Sequence, residues 1–147
     1  EVSMLYVPRR IDINQPVEKV FAFVVDVRRV REWQSDLIDA YVTPEGPVQA
    51  GTVYHYISEV LGQRRYSRMQ VTMIDENRRL LLTSPSRISA VETAYHFEPV
   101  NGGTRLTMTT HVEGTFVPMA REMIERHTRD LLQARLERIR QLLEGTS

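Results

Sequence analysis

Apolar residues recur at every third or fourth position over only one long stretch, Val117 to Glu144, after roughly sixty residues in which apolar and polar positions mostly alternate. Met119, Ala120, Met123, Ile124, Leu131, Leu132, Leu136, Ile139, Leu142 and Leu143 read as one face of that stretch. Glu122, Glu125, Arg126, Arg129, Glu137 and Arg140 fill the other. The spacing predicts a single amphipathic terminal helix. Its first turns are rich in methionine, with His127 at their margin, and flexible thioethers suit a surface that adapts to what it covers. The later turns are a regular leucine and isoleucine stripe. The first half is therefore expected to form the lid of a pocket and the second half to clamp a sheet.

Upstream, Met4 to Ile13 alternates as a strand. Asn14 is placed to cap a helix opened by Pro16, whose apolar residues Val17, Val20, Phe21 and Val24 run up to Asp26. Val27 to Gln34 reads as a second short helix, Leu37 to Val42 as a strand, and Thr43 to Ala50 as a loop. Strands then follow over Gly51–Leu61, Gln63–Ile74, Arg79–Thr83, Arg87–Glu98 and Thr104–Glu113. Gly62, Asp75-Glu76-Asn77, Ser84-Pro85-Ser86 and Asn101-Gly102-Gly103 mark the turns between them. Connections this short imply antiparallel neighbours and a meander. The inward faces are expected to carry Ser67, Met69, Val71 and Met73; Val91, Thr93, Tyr95 and Phe97; and Leu106, Met108, Thr110 and Val112. For Gly51–Leu61 two phases remain open. The tyrosine phase of Tyr54 and Tyr56 is preferred because it leaves His55 and Glu59 in water.

With 147 residues the chain suits one domain spanning residues 1–147. Nineteen basic and nineteen acidic residues cancel, which argues against a nucleic-acid partner or an anionic membrane. No apolar run approaches the roughly 18–20 residues that span a bilayer, so stable membrane insertion is not expected. Glu1 to Arg10 lacks the layout of a signal peptide. The absence of cysteine rules out disulfides, thiolate metal ligands and a thiol nucleophile, and fits a cytoplasmic setting.

The order strand, two short helices, a run of antiparallel strands and one long helix gains meaning from particular residues. These are Ile11 to Phe21 (Ile-Asp-Ile-Asn-Gln-Pro-Val-Glu-Lys-Val-Phe), Val25-Asp26 followed by Glu32-Trp33, Ala50-Gly51-Thr52, and Asn77-Arg78-Arg79-Leu80. Tyr95-His96-Phe97-Glu98-Pro99 then runs into Gly102-Gly103-Thr104-Arg105. On them the chain resembles the START-type, birch-pollen-allergen-like helix-grip superfamily (SRPBCC), and within it the polyketide cyclase/dehydrase and lipid-transport group. The resemblance implies an α+β helix-grip fold. A strongly curved antiparallel sheet of about seven strands would wrap the C-terminal helix, with two short helices after the first strand and a hydrophobic cavity between sheet and helix. It also implies binding of sterols, lipids or polyketides, or cyclisation and dehydration of polyketides, and fold alone does not choose among these.

The candidate ligand-binding residues are Tyr54, Tyr56, Met69, Tyr95, Phe97, Met108, Met123 and His127. Phenols in an apolar pocket orient a ligand's carbonyl or hydroxyl, although aromatics are also favoured in strands for packing alone. His127 is the one weak catalytic candidate, because an imidazole has a suitable pKa for acid–base work; its plain alternative is a hydrogen-bonded histidine at the core margin. His55, His96 and His111 lack metal-ligand spacing, so neither a metal nor another cofactor is expected. The arginines of the meander read as a solvated face, and Trp33 as an anchor for the second helix. The leading expectation is a protein that binds a hydrophobic or amphipathic small molecule of lipid, sterol or polyketide type. The alternative is a cofactor-independent cyclase, aromatase or dehydrase using a cavity His or Tyr. A third reading is a partner-binding module with a filled interior, and a homodimer is compatible with all three.

Overall fold

The computed structural model describes residues 3–84, 90–114 and 117–145. Strand β1 (Ser3–Ile13) leads into helices α1 (Val17–Val25) and α2 (Val30–Trp33). Six further strands follow: β2 (Leu37–Thr43), β3 (Val53–Val60), β4 (Gln63–Asp75), β5 (Arg79–Ser84), β6 (Ala90–Val100) and β7 (Gly103–Gly114). Helix α3 (Pro118–Leu143) ends the chain. The strands form one antiparallel sheet in the order β1-β7-β6-β5-β4-β3-β2, so only β1 leaves the sequential meander to pair with β7. The expected Pro85-Ser86 turn and the start of a strand at Arg87 lie outside the described residues.

Helix α3 runs beside β1 in the same direction. Its 26 residues cover about 39 Å, and the eleven residues of β1 about 37 Å, so helix and strand match in length. Both ends are tied. Near the start, the Arg121 guanidinium donates to the Met4 carbonyl at 3.0 Å. At the end, the Asn14 N–H donates to the Glu144 carboxylate at 2.9 Å and the Gln15 side-chain amide to the Leu143 carbonyl at 2.7 Å. Asn14 was expected to cap α1; that position falls to Pro16, which offers no side-chain bond, and Asn14 serves α3 instead.

The core lies between the concave face of the sheet and the three helices. Leu5, Val7, Ile11 and Ile13 from β1 meet Leu106 and Met108 from β7, and Leu132, Leu136, Ile139 and Leu143 from α3 cover them. The tyrosine phase of β3 is the inward one, with Tyr54 and Tyr56 both buried. In β4 the expected phase holds only as far as Val71, which is buried. The register with β5 then slips, Val71 facing Leu82 and Met73 facing Leu81. The extra residue of this bulge exchanges the two faces, so Met73 is exposed and Ile74 packs against the core in its place.

Two neighbouring glycines at the β6–β7 turn have different reasons to be there. Gly102 has φ +83°, and Asn101 before it φ 50°, the left-handed pair that a tight hairpin needs. Gly103 has an ordinary φ, but a Cβ on it would stand 2.6 Å from the Ile13 carbonyl oxygen. Its small size is what lets β1 and the loop after it pass so close.

The apolar face expected of α3 is two stripes. Leu132, Leu136, Ile139 and Leu143 are buried, whereas Met119 is 75% and Met123 62% exposed, and His127 is exposed too. Met123 precedes Leu132 by nine residues, which at about 100° per residue is half a turn away; His127, five residues before, is about 140° away. The line that faces the sheet at Leu132 therefore continues towards the N-terminus through Thr128, Glu125 and Arg121. The methionines cannot join it without overwinding the helix.

Candidate functional site

Between the concave sheet and the middle of α3 the core is not filled. A cavity of about 310 Å³ remains, walled by Tyr56 and Ser58 of β3, Ser67 and Met69 of β4, Leu82 of β5, Val91, Thr93 and Tyr95 of β6, and Thr110 and Val112 of β7. Gln34, Asp36 and Leu37 close one side after α2, and Thr128, Leu131, Leu132 and Arg135 of α3 form the roof. The strands supply every second residue to this wall, as the pleat requires. Small polar side chains at Ser58, Ser67 and Thr93 leave the space that larger residues would have filled.

The eight residues singled out from sequence divide into three groups. Tyr56, Met69 and Tyr95 stand on the cavity wall. Tyr54, Phe97 and Met108 are buried in the core without lining the cavity: the Tyr54 hydroxyl donates to the Val25 carbonyl at 2.6 Å, and Phe97 meets Phe21 edge-on at 5.0 Å. Met123 and His127 lie outside it on the exposed face of α3. The expected lid of Met119 to His127 is thus corrected by the helix phase: Met119, Met123 and His127 are exposed on the face away from the sheet, and the roof of the cavity starts at Thr128.

Arg135 was missed, and its position in the sequence carried a signal. It falls three residues after Leu132 and four before Ile139, inside the buried stripe, where a charge is out of place unless it has something to meet. Its Nε is buried without a hydrogen-bond partner. Among the described residues its guanidinium forms no ion pair, although Asp36 lines the same cavity.

The electrostatics of the cavity follow from burial. The Tyr95 phenol is pushed up to about 12 by desolvation, with the Arg135 charge pulling the other way. Tyr56 is also raised by desolvation, and the nearby tyrosines add to that while Arg135 again opposes it. Both phenols keep their protons at neutral pH and face the cavity as hydrogen-bond donors rather than bases. Trp33 packs edge-on to Tyr95 at 6.4 Å and so fixes the ring from behind as well as anchoring α2.

Two other features are unlike this cavity. On the outer face of the sheet, the His55 ring stacks on Tyr41 at 4.5 Å, and its two nitrogens are bonded to the Tyr66 hydroxyl and the Thr43 hydroxyl. A larger cleft of about 1340 Å³ opens between α1 and β2, with Phe21, Val25 and Val42 on its floor and Glu18, Glu45 and Glu76 on its rim. It is a surface groove beside the edge strand, with no buried unpartnered polar atom among its described lining. Among the described residues, no three His, Asp or Glu side chains come together as metal ligands would. No described helix is long and apolar enough to cross a membrane.

Residues 4–144 match the family described as polyketide cyclase / dehydrase and lipid transport. The chain belongs to that family. Its helix-grip fold recurs in solved structures. Mll3558 from Rhizobium loti is 26% identical, with a TM-score of 0.66 over 94% of this chain and 99% of that one. TTHA0849 from Thermus thermophilus is 20% identical, with a TM-score of 0.68 over 97% of this chain and 100% of that one. The di-domain ARO/CYC StfQ from the steffimycin biosynthetic pathway is 10% identical, with a TM-score of 0.77 over 93% of this chain and 49% of that one. At such identities the likeness to TTHA0849 and StfQ is one of fold. None of the curated proteins matches the chain.

Proposed function

We propose that this member of the polyketide cyclase / dehydrase and lipid transport family binds a hydrophobic or amphipathic small molecule between its sheet and α3. The observation that carries the reading is the space of about 310 Å³ left between the core face of the sheet and α3, open on one side, with apolar and polar groups sharing its wall. That volume equals about ten waters of bulk liquid. It stands at the small end of ligand pockets, which favours a ligand the size of two fused rings or a medium-chain lipid over a full sterol. Removing about 200 Å² of apolar ligand surface from water would contribute about 5 kcal/mol before association costs. By itself that term corresponds to a Kd of no better than about 0.2 mM, so tighter binding would draw on the polar groups.

A second reading, an enzyme of the cyclase, aromatase or dehydrase type, draws support from Arg135, Tyr56 and Tyr95 lining one cavity with Asp36. The first three would polarise a carbonyl, and Asp36 is the lining group able to accept a proton. His127, on the outer face of α3, has no part in it.

Filling the cavity tests the binding reading. Thr93→Trp should abolish binding of a fluorescent apolar probe such as 2-naphthamide and leave the protein folded by circular dichroism. Undiminished binding in that variant would place the probe elsewhere and refute the reading. Turnover of an enolisable aromatic-precursor ketone that disappears in Asp36→Asn would favour the enzyme.

A further inference from the structure

Arg135 gives the cavity a sign. It is the only basic residue in the described lining, and its Nε is shut away from water with nothing to bond. Its five N–H groups are all donors. The side chain as a whole is half-buried, but a buried donor such as this Nε is costly to leave unpaired, and among the described residues no ion pair meets the guanidinium. The phenols of Tyr56 and Tyr95 look into the same space, and each lies near enough to Arg135 for its charge to oppose the effect of burial. Both stay protonated, so three donor groups converge while Met69, Leu82, Val91 and Leu132 supply apolar wall.

We infer that the cavity takes an anionic amphiphile: a carboxylate, or an oxygen of equal charge, held by Arg135 with Tyr56 and Tyr95 as neighbouring donors, its apolar body lying along the sheet. This rests on the proposed binding function and deepens it by naming the ligand's class. A guanidinium meets a carboxylate through two parallel N–H···O bonds, a geometry that a lysine at this position would not reproduce.

The contrary case is an arginine whose stem packs on the core while its head leans to the cavity mouth. The two are separated by a pair of isosteric probes, 2-naphthoate and uncharged 2-naphthamide, titrated into the protein at pH 7 by intrinsic probe fluorescence and calorimetry. The naphthoate is expected to bind about ten-fold tighter, because a hydrogen bond to a charged group typically outweighs its neutral counterpart by about the 1.4 kcal/mol that ten-fold represents. Arg135→Met should erase the preference and retain binding of the amide, and Arg135→Lys should restore part of the preference. Equal affinities in the unaltered protein, which need no variant to measure, overturn the anion site but leave the binding function standing. A preference that survives Arg135→Met likewise overturns it. Failure of both probes to bind overturns the function and the anion site together.

Discussion

Truncating Ile139 to alanine measures which stripe of α3 holds the fold together. Ile139 is fully buried under the helix, and the change removes three methylene equivalents. At about 0.8 kcal/mol each the transfer loss is about 2.4 kcal/mol, and a void that does not relax raises it towards about 4 kcal/mol. In a domain of this length each kcal/mol moves Tm by about 2–4 °C, so Ile139→Ala should lower Tm by about 5–15 °C. Met123→Ala removes a comparable amount of apolar surface from a side chain that is 62% exposed, and should change stability by no more than about 0.5 kcal/mol. Urea unfolding followed by Trp33 fluorescence reads both: Trp33 is the sole tryptophan and is buried against Tyr95, so its emission reports loss of the core. The midpoint should move in the first variant and stay in the second, with the slope unchanged in each. Equal losses, or a larger loss for Met123→Ala, would refute the helix phase and with it the placement of Arg135 in the roof.

Three further outcomes are expected. The β4 bulge makes Met73→Lys tolerable and Ile74→Lys costly by about 2 kcal/mol or more, because only the second buries a charge; similar Tm values for the two would show that the faces do not exchange. Gly103→Ala should lose about 1–3 kcal/mol, since its Cβ would press on the Ile13 carbonyl and force β1 and β7 apart; an unchanged urea midpoint would count against that close approach. An unfolded tyrosine ionises near pH 10, below the folded Tyr95 value of about 12. The unfolded chain therefore releases this proton first, and stability conferred by the neutral phenol, complete below about pH 10, is lost as pH rises towards 12. Tyr95→Phe should flatten the fall in urea midpoint between about pH 9.5 and 11.5, and an identical slope in both proteins would remove Tyr95 as its source.

Much of the fold could be read along the chain because its signals are local. Gly62, Asp75-Glu76-Asn77 and Asn101-Gly102-Gly103 each mark a hairpin, and a two- or three-residue turn leaves adjacent strands no choice but antiparallel pairing. Alternation likewise put Tyr56, Met69 and Tyr95 on one face, and the structure stands them around one cavity. The same alternation could not distinguish them from Tyr54, Phe97 and Met108, which share the inward face but fill the core. Inward says nothing about whether the facing side chains are large enough to close the gap. The bulge after Val71 was equally hidden, because an extra residue in one strand is defined only by its partner strand.

The helix shows where the division falls. Sequence alone determined that residues 118–143 would be helical and amphipathic, since the repeat of apolar residues is a property of the segment itself. It also placed Arg135 within the stripe that became buried. Which of two overlapping stripes met the sheet was decided only when α3 was tied at Met4 and at Asn14 beside β1. Those ties fix the rotation of a rigid helix over its whole length, so burying Leu132 to Leu143 turned Met119, Met123 and His127 outward and brought Arg135 over the cavity. Periodicity is encoded residue by residue, but the rotation that gives it meaning belongs to the packed pair.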